Sequence, residues 1–129
     1  MTTSKDQSAF LLDICKTIQF AAENGWRVTG GELIRTKAQQ EIYFKSGLSK
    51  TMNSRHLVGM ALDLNFIRES DGVYIGLLKP IVAINQLRPV GEFFESLSPL
   101  NRWGGNFDRD WSKPDSFHDV PHFERRDAK

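Results

Sequence analysis

The stretch that decides the fold of this chain is residues 54–64, which read SRHLVGMALDL. Its last five residues alternate as a β-strand does, so the leucines face one side and Asp63 faces the other. Strands disfavour aspartate, and a buried carboxylate without a partner is costly. We therefore expect a strand that packs on a core and turns Asp63 toward a metal ion, backbone donors, or an arginine such as Arg35 or Arg102.

Two histidines favour the metal among these partners. His56 precedes Asp63 by a turn with a central glycine, and residues 119–123, DVPHF, bring His122 from a separate predicted strand. Two imidazoles and one carboxylate form a donor set that holds a catalytic zinc ion and leaves one coordination position open. The combination predicts that His56, Asp63 and His122 are metal ligands.

Two further carboxylates accompany His122. Asp119 lies three residues earlier and is predicted to be the general base that takes a proton from the attacking water. Glu124 shares a strand face with His122, so we expect it to orient that imidazole or to be an alternative base. The sequence thus supplies both a ligand set and a group that a purely structural metal site would not need.

The first half of the chain is predicted to begin with a helix. Apolar residues at steps of three and four from Phe10 to Ala22 indicate an amphipathic helix, which Asn24-Gly25 ends. A strand is expected at residues 26–29. Thr36 has the form of a helix cap, and the short helix that it begins is expected to end near Gly47.

The second half is predicted to alternate strands with one interrupted helical segment. Ser70-Asp71-Gly72 indicates a tight turn, after which residues 73–75 are expected to return as a partner strand. Proline is favourable in a first helical turn, so the helix within residues 79–99 is expected to begin anew at Pro89. Strands are predicted at residues 101–105 and 120–125, with a polar loop at 108–117.

Length, charge and cysteine content limit the function classes. At 129 residues the chain can bury a core as one domain, and no repeat or linker marks another. Lys+Arg 17 against Asp+Glu 16 gives a net charge of +1, which argues against nucleic-acid binding and against a metal nuclease. The single cysteine, Cys15, excludes an intramolecular disulfide, and its apolar helical setting predicts a buried, unreactive thiol.

These residues together resemble the M15 family of zinc peptidases. The resemblance rests on three motifs, with two upstream segments in support: Ser54-x-His56-x-x-Gly59-x-Ala61-x-Asp63, Trp103-Gly104-Gly105 and Asp119-x-x-His122, preceded by Arg35-Thr36-x-x-x-Gln40 and Gly47-x-Ser49. It covers roughly residues 28 to 125. It implies an α+β fold in which a small antiparallel sheet has helices packed on one face, as in hedgehog-like and D-Ala-D-Ala peptidase domains.

The resemblance also implies roles by position. His56, Asp63 and His122 would bind Zn2+, with Asp119 as the base. Arg35 matches the arginine that polarises the scissile carbonyl or steadies the oxyanion. Three further residues are expected to contact the substrate: Ser54, Gln40 and Trp103.

The function that this resemblance implies is zinc-dependent hydrolysis of the peptidoglycan stem peptide. Aspartate at position 119 is similar to the small phage endolysins and favours cleavage between L-Ala and D-Glu. The alternatives are a D-Ala-D-Ala carboxypeptidase or dipeptidase and, outside the enzymes, a non-catalytic zinc-binding hedgehog-like module or virion component.

The sequence carries no signal-peptide pattern, membrane span or wall-binding module. We therefore expect synthesis in the cytoplasm, no membrane insertion, and a monomeric phage or prophage endolysin. Such a protein would reach the cell wall through a holin-made lesion.

Overall fold

The computed structural model describes residues 2–31, 36–47, 55–107, 109 and 119–127. The helices in these ranges are α1 (Ser4–Glu23), α2 (Lys37–Lys45) and α3 (Pro80–Ser96). The strands are β1 (Trp26–Gly30), β2 (Ala61–Arg68), β3 (Asn101–Trp103) and β4 (His122–Arg125), with 3-10 turns at Arg55–Val58 and Ile75–Leu77. The strands form one four-stranded antiparallel sheet in the order β1-β2-β4-β3. The predicted α+β class is therefore confirmed.

Strand β2 divides its side chains between the two faces of the sheet. Leu64 and Phe66 are 1% and 2% exposed and lie in the core that α1 and α3 cover. Asp63 and Asn65 alternate with them and are only half-buried on the opposite face. The alternation predicted for this strand is thus confirmed, and the face away from the core cluster is the one that carries polar side chains.

Strand β4 is oriented by one aromatic side chain. The Phe123 ring lies 5.9 Å from that of Phe66 and 5.2 Å from that of Phe94, measured between centroids. Phe123 is 0% exposed. Because neighbouring residues of a strand point to opposite faces, burial of Phe123 turns His122 and Glu124 toward the face that carries Asp63.

Strand β3 is fixed by Trp103, which two glycines accommodate. A Cβ atom on Gly91 of α3 would lie 2.2 Å from the Trp103 ring, and one on Gly105 would lie 2.3 Å from it. The indole Nε1 donates a hydrogen bond to the carbonyl oxygen of Val120 at 2.7 Å. The ring therefore joins α3, β3 and the turn before β4.

Helix α1 buries part of the predicted stripe, since Phe10 and Ile14 lie in the core and Ile18 packs against it. Two of its buried side chains are polar, and the full set is Phe10, Asp13, Ile14, Thr17 and Ala21. Leu11 and Ala22, which are apolar, are exposed. Asp13 lies inside because Arg125 forms a salt bridge to it and the Asn101 amide donates to it at 3.0 Å. Apolar spacing cannot reveal a carboxylate whose burial depends on a partner at the far end of the chain.

Cys15 is exposed, and the prediction of a buried thiol is wrong. The residue sits in an apolar stretch, but one step along a helix rotates the side chain by about 100° from its neighbour. Ile14 takes the place in the buried stripe, so Cys15 faces out.

Helix α3 is continuous, and the prediction that a new helix begins at Pro89 is wrong. The first helical residue is Pro80, while Pro89 lies inside the helix on its exposed side. Residues on both sides of the proline, such as Ile84 and Val90, bury in the same core. That shared burial keeps the two halves in one continuous helix, although Pro89 lacks the amide hydrogen that a helical hydrogen bond needs.

Residues 73–75 do not form the predicted partner strand. Tyr74 makes a single antiparallel bridge with Ile67, and the chain then enters the 3-10 turn at Ile75. The tight turn itself is present, with Gly72 at φ +72°. Strand β2 takes β1 and β4 as partners instead, and the 3-10 turn places Ile75 in the core, where it is 2% exposed.

The other predicted elements agree with the structure within the described residues. Asn24 caps α1, Thr36 accepts a hydrogen bond from the Gln39 amide at the start of α2, and Gly47 follows that helix. The loop predicted at 108–117 lies outside the described residues except for position 109. None of the described helices has the length and apolar character that crossing a bilayer requires. That the chain is one domain without a wall-binding module stays a prediction.

The continuity of α3 can be tested with Pro89→Ala. Proline inside a helix costs about 3 kcal/mol relative to alanine, of which roughly 1 kcal/mol is recovered because proline restricts the unfolded chain. We expect the variant to raise the free energy of unfolding in urea by about 1–2 kcal/mol. Pro80→Ala, at a first-turn position where proline is favourable, is the control and should give no gain. An equal change in the free energy of unfolding for Pro89→Ala and Pro80→Ala would mean that Pro89 starts a helix of its own.

Candidate active site

Three side chains converge on the polar face of the sheet, namely His56, Asp63 and His122, and one ligand atom of each lies within 4.8 Å of the others. Nε2 of His56 is 3.3 Å from Oδ1 of Asp63, and Nδ1 of His122 is 3.7 Å from the same oxygen. Two ligands bonded to zinc at about 2.0–2.1 Å in a tetrahedral arrangement lie about 3.3–3.4 Å apart. The donor atoms therefore already have nearly the spacing that zinc requires.

The sheet register creates this meeting of Asp63 and His122. The two residues are direct partners in the antiparallel pairing of β2 with β4. Directly opposed residues on one face have Cβ atoms about 4.5–5.5 Å apart, which suits two ligands of one ion. Gly31 approaches from the other side, and its amide donates to the Asp63 carbonyl at 2.7 Å. A Cβ on Gly31 would lie 2.9 Å from that oxygen, so glycine is needed there.

His56 is delivered by the 3-10 turn Arg55–Val58, and Arg55 anchors that turn to the end of β4. The Arg55 guanidinium donates to the carbonyl oxygen of Arg125 at 3.0 Å and forms a salt bridge with Asp127 at 2.9 Å. The amide of Met60 closes the turn by donating to the Arg55 carbonyl at 2.9 Å. His56 is consequently 1% exposed and held against the same strand that supplies His122.

Behind His122 lies a row of charged side chains. Nε2 of His122 is 2.7 Å from Oε1 of Glu124, and the Arg102 guanidinium donates to the other Glu124 oxygen at 3.0 Å. With the carboxylate as acceptor, Nε2 carries a proton, and loss of the proton on Nδ1 would free a lone pair for a metal ion on the side of Asp63. The Phe107 ring packs 5.6 Å from the His122 ring between centroids.

The electrostatics of this cluster favour a cation. Burial alone raises the pKa of Asp63, but the neighbouring imidazoles of His122 and His56 outweigh it and hold that pKa well below its usual range. Burial alone lowers the pKa of His122, but its contacts with Asp63 and Glu124, together with the charge of Asp119, raise it to about 9. Oδ1 of Asp63 is buried, and within the described residues no donor meets the geometry of a hydrogen bond to it. These properties and the donor types fit zinc.

Asp119 is fixed by its backbone in a tight turn before β4. The Asp119 amide donates to the carbonyl oxygen of Gly104 at 2.9 Å, and the Gly104 amide donates to the His122 carbonyl at 2.7 Å. A Cβ atom on Gly104 would lie only 1.9 Å from the Asp119 carbonyl oxygen. The Trp-Gly-Gly motif thus has a physical cause, because only glycine lets β3 approach the turn that carries Asp119.

The other residues predicted to contact the substrate or to pair with Asp63 lie outside the cluster or outside the described residues. Gln40 and Trp103 are both 0% exposed, so in this structure neither side chain presents a surface to a ligand. Their substrate contacts stay predictions that the described geometry does not support. Arg35 and Ser54 lie outside the described residues. Arg102, one of the arginines considered as a partner for Asp63, pairs with Glu124 instead.

Sequence reasoning missed one anchoring residue, Arg55. It directly precedes His56, yet its partners are the backbone of β4 and Asp127, at a separation of about seventy residues. A local pattern contains no sign of such a contact. Arg102 lies in a predicted strand, but no local pattern indicates that this strand pairs with the one that carries His122 and Glu124.

Comparison with known proteins gives three consistent findings. The profile of an M15 peptidase family described as D-alanyl-D-alanine carboxypeptidase matches residues 47–125. The L-alanyl-D-glutamate peptidase of Listeria phage A118 is 50% identical over 48 residues, which are 37% of this chain and 17% of that relative. The chain therefore spans about a sixth of the relative's length.

The third finding concerns the fold. The crystal structure of the Serratia marcescens L-Ala D-Glu endopeptidase ChiX superposes with a TM-score of 0.59 and 22% identity, covering 95% of this chain and 84% of the other. The fold is therefore shared over nearly the whole chain, including the strands that carry His122 and Asp63.

The role of Glu124 can be tested with Glu124→Gln. Removing the charge behind a histidine ligand typically weakens metal binding 10- to 100-fold, so we expect zinc affinity to fall by at least about tenfold. Competition titration against a zinc chelator measures this in the purified protein, with circular dichroism to verify the fold. Glu92→Gln, an exposed residue on α3 paired with Arg88, is the control and should bind zinc as the unmodified chain does. Unchanged affinity in Glu124→Gln would mean that Glu124 does not orient His122.

Proposed function

This chain belongs to the M15 peptidase family, and on that premise we propose that it is a zinc-dependent peptidase that cleaves the L-Ala–D-Glu bond of the peptidoglycan stem peptide. The observation that carries the proposal is the convergence of His56, Asp63 and His122 within 4.8 Å, with Asp119 three residues before the last ligand. A closed structural site has four protein ligands, whereas a catalytic site keeps a position open. Three ligands and a nearby carboxylate fit the catalytic kind.

Each residue then has a distinct task. His56, Asp63 and His122 would hold the zinc ion, which when bound supplies a Lewis acid that lowers the pKa of water to near 7 and polarises a carbonyl. Asp119 would take the proton from the attacking water and deliver it to the leaving amine. Glu124, backed by Arg102, would keep the His122 ring in the orientation that presents Nδ1.

Two residues outside the described ranges enter the proposal through the family resemblance. Arg35 would stabilise the negative charge that develops on the scissile carbonyl oxygen, where one such donor is worth about 3–4 kcal/mol. Ser54, two residues before His56, would contact the substrate. Their positions in the motif support these roles.

The phage relative supports the choice of bond and of biological setting. That relative is an L-alanyl-D-glutamate peptidase, and its 48 matched residues are 50% identical to this chain. We propose accordingly that the protein acts as a phage or prophage endolysin on cell-wall peptide, as a monomer, after release through a holin-made lesion.

A second candidate is a D-Ala-D-Ala carboxypeptidase. The description of the matching family profile favours it. Aspartate rather than glutamate at position 119 favours the alanyl-glutamate bond instead.

Muropeptide analysis by mass spectrometry separates these candidates. Purified sacculi are incubated with the zinc-loaded protein, and with a chelator-treated sample as control. We expect released peptides that begin with D-Glu, with L-Ala left on the sugar, in the zinc-loaded sample alone. Loss of only the terminal D-Ala would identify the carboxypeptidase. No cleavage in either sample would favour a zinc-binding module without catalytic activity.

The general base is tested with Asp119→Ala. Because Asp119 is proposed to move protons and not to bind the metal, zinc affinity should persist while hydrolysis of sacculi falls by about 10²- to 10⁴-fold. Asp71→Ala, an exposed aspartate in the turn after β2, is the control and should retain full activity. Full activity of Asp119→Ala would remove this carboxylate from the mechanism, and loss of zinc would make it a ligand.

A further inference from the structure

An apolar cavity of about 290 Å³ opens beside Asp119. It lies between the 3-10 turn after β2, the first turns of α3 and the turn 119–121, and its walls include Tyr74, Ile75, Leu78 and Ala83. This volume is at the lower end of the range for ligand pockets, so it suits one or two small groups.

Two residues of the cavity wall, Asp119 and Tyr74, contact residues next to the proposed catalytic centre. Asp119 lines it, and the Asp119 carbonyl accepts the His122 amide at 2.9 Å. On the other side the Tyr74 hydroxyl donates to Oδ1 of Asn65 at 3.3 Å. Asn65 follows Asp63 by two positions on β2 and therefore shares its face. The wall of the cavity thus includes the residue proposed as the base and, through Tyr74, contacts the strand that carries Asp63.

Tyr74 is a wall held in place by its surroundings. Its backbone bridges to Ile67, its hydroxyl is bonded to Asn65, and its ring lies over Gly76. A Cβ atom on Gly76 would approach the ring to 2.5 Å, so glycine is what permits this ring position. Tyr74 is nevertheless 37% exposed, which leaves one side of the ring accessible.

Charge decides which part of the substrate this cavity accepts. Among the described residues that line it, Asp119 carries the single full charge, and no lysine, arginine or histidine is present. The glutamyl side of an L-Ala–D-Glu bond carries a carboxylate, which would meet a like charge and find no cation there. The alanyl side offers a methyl group and a neutral acyl chain, which an apolar wall accommodates.

We propose that this cavity is the subsite for the uncharged alanyl side of the scissile bond, with Tyr74 as its specificity-determining wall. The inference rests on the proposed function and deepens it, since it orients the substrate. The carboxylate-bearing side then lies across the metal cluster, away from Tyr74.

Kinetic specificity tests the proposal with synthetic peptides. The reference substrate is N-acetyl-L-Ala-γ-D-Glu-L-Lys, compared with one that has L-Leu for L-Ala and one that has D-isoglutamine for D-Glu. In Tyr74→Ala the preference for alanine over leucine in kcat/KM should fall by about tenfold, because the removed ring opens the wall. The ratio of the glutamate to the isoglutamine substrate should not change.

Three further variants sharpen this experiment. Gly76→Ala should displace the ring and shift the alanine–leucine preference in the same direction as Tyr74→Ala. Tyr74→Phe keeps the ring and should largely retain the preference. Leu77→Ala, a residue that is 81% exposed and does not line the cavity, is the control and should be unchanged. An unaltered alanine–leucine preference in Tyr74→Ala, or an altered glutamate–isoglutamine ratio, would overturn the proposal.

A binding measurement keeps this inference separate from the proposed function. N-acetyl-L-alaninamide and N-acetyl-D-glutamate are titrated separately into ¹⁵N-labelled zinc-loaded protein. The alanine compound should shift the amide signals of Ile75 and Gly76, and the glutamate compound should not. The same shifts in a protein that cleaves no cell wall would support the subsite and refute the proposed function. Shifts from the glutamate compound, or from neither, would refute the subsite.

Discussion

The antiparallel pairing of β2 with β4 is the interaction on which the rest of the molecule depends. It sets Asp63 directly opposite His122 and, in the next pairs, Phe123 opposite Leu62 and Glu124 opposite Ala61. Side chains alternate with a period of two along a strand, so a slip by one residue would turn His122 toward the hydrophobic core and Phe123 toward the polar face. Such a slip is strongly opposed because truncating a buried phenylalanine alone costs about 3–5 kcal/mol. Core packing thereby specifies how Asp63 and His122 face each other.

A second layer of polar contacts holds the ends of these strands. The buried Asp13 of α1 meets Arg125 at the end of β4, and Asn101 of β3 bonds to both of them. The carbonyl of Arg125 in turn accepts from Arg55, the residue before His56. Removing one partner of a buried ion pair typically costs about 3–5 kcal/mol, since it leaves a charge without compensation. The network therefore links the first helix of the chain to the 3-10 turn that carries His56.

The sequence predicts the convergence of His56, Asp63 and His122 better than it predicts the connections between elements. His56, Asp63 and His122 can be grouped because a carboxylate in an apolar strand needs a partner and few residues could supply one. The same reasoning fails for Asp13, whose apolar spacing conceals a buried charge. The predictions that a helix begins at Pro89 and that residues 73–75 form a strand are wrong for a related reason. Local rules favoured a helix start and a hairpin, whereas burial of Val90 and Ile75 in the common core decided otherwise. Tertiary contacts outweigh local preference at these positions.

The backbone contacts of Gly104 have a consequence for folding kinetics. Gly104 bonds to the carbonyl of His122 and to the amide of Asp119, so we expect the turn that contains Asp119 to close only after β3 and β4 have met. The facing ligands also come from strands that are distant along the chain, and such long-range contacts form late because loop closure must precede them. We therefore expect the His56, Asp63 and His122 cluster to form late in folding. A bound ion would then slow the opening of the finished sheet more than it would speed its assembly.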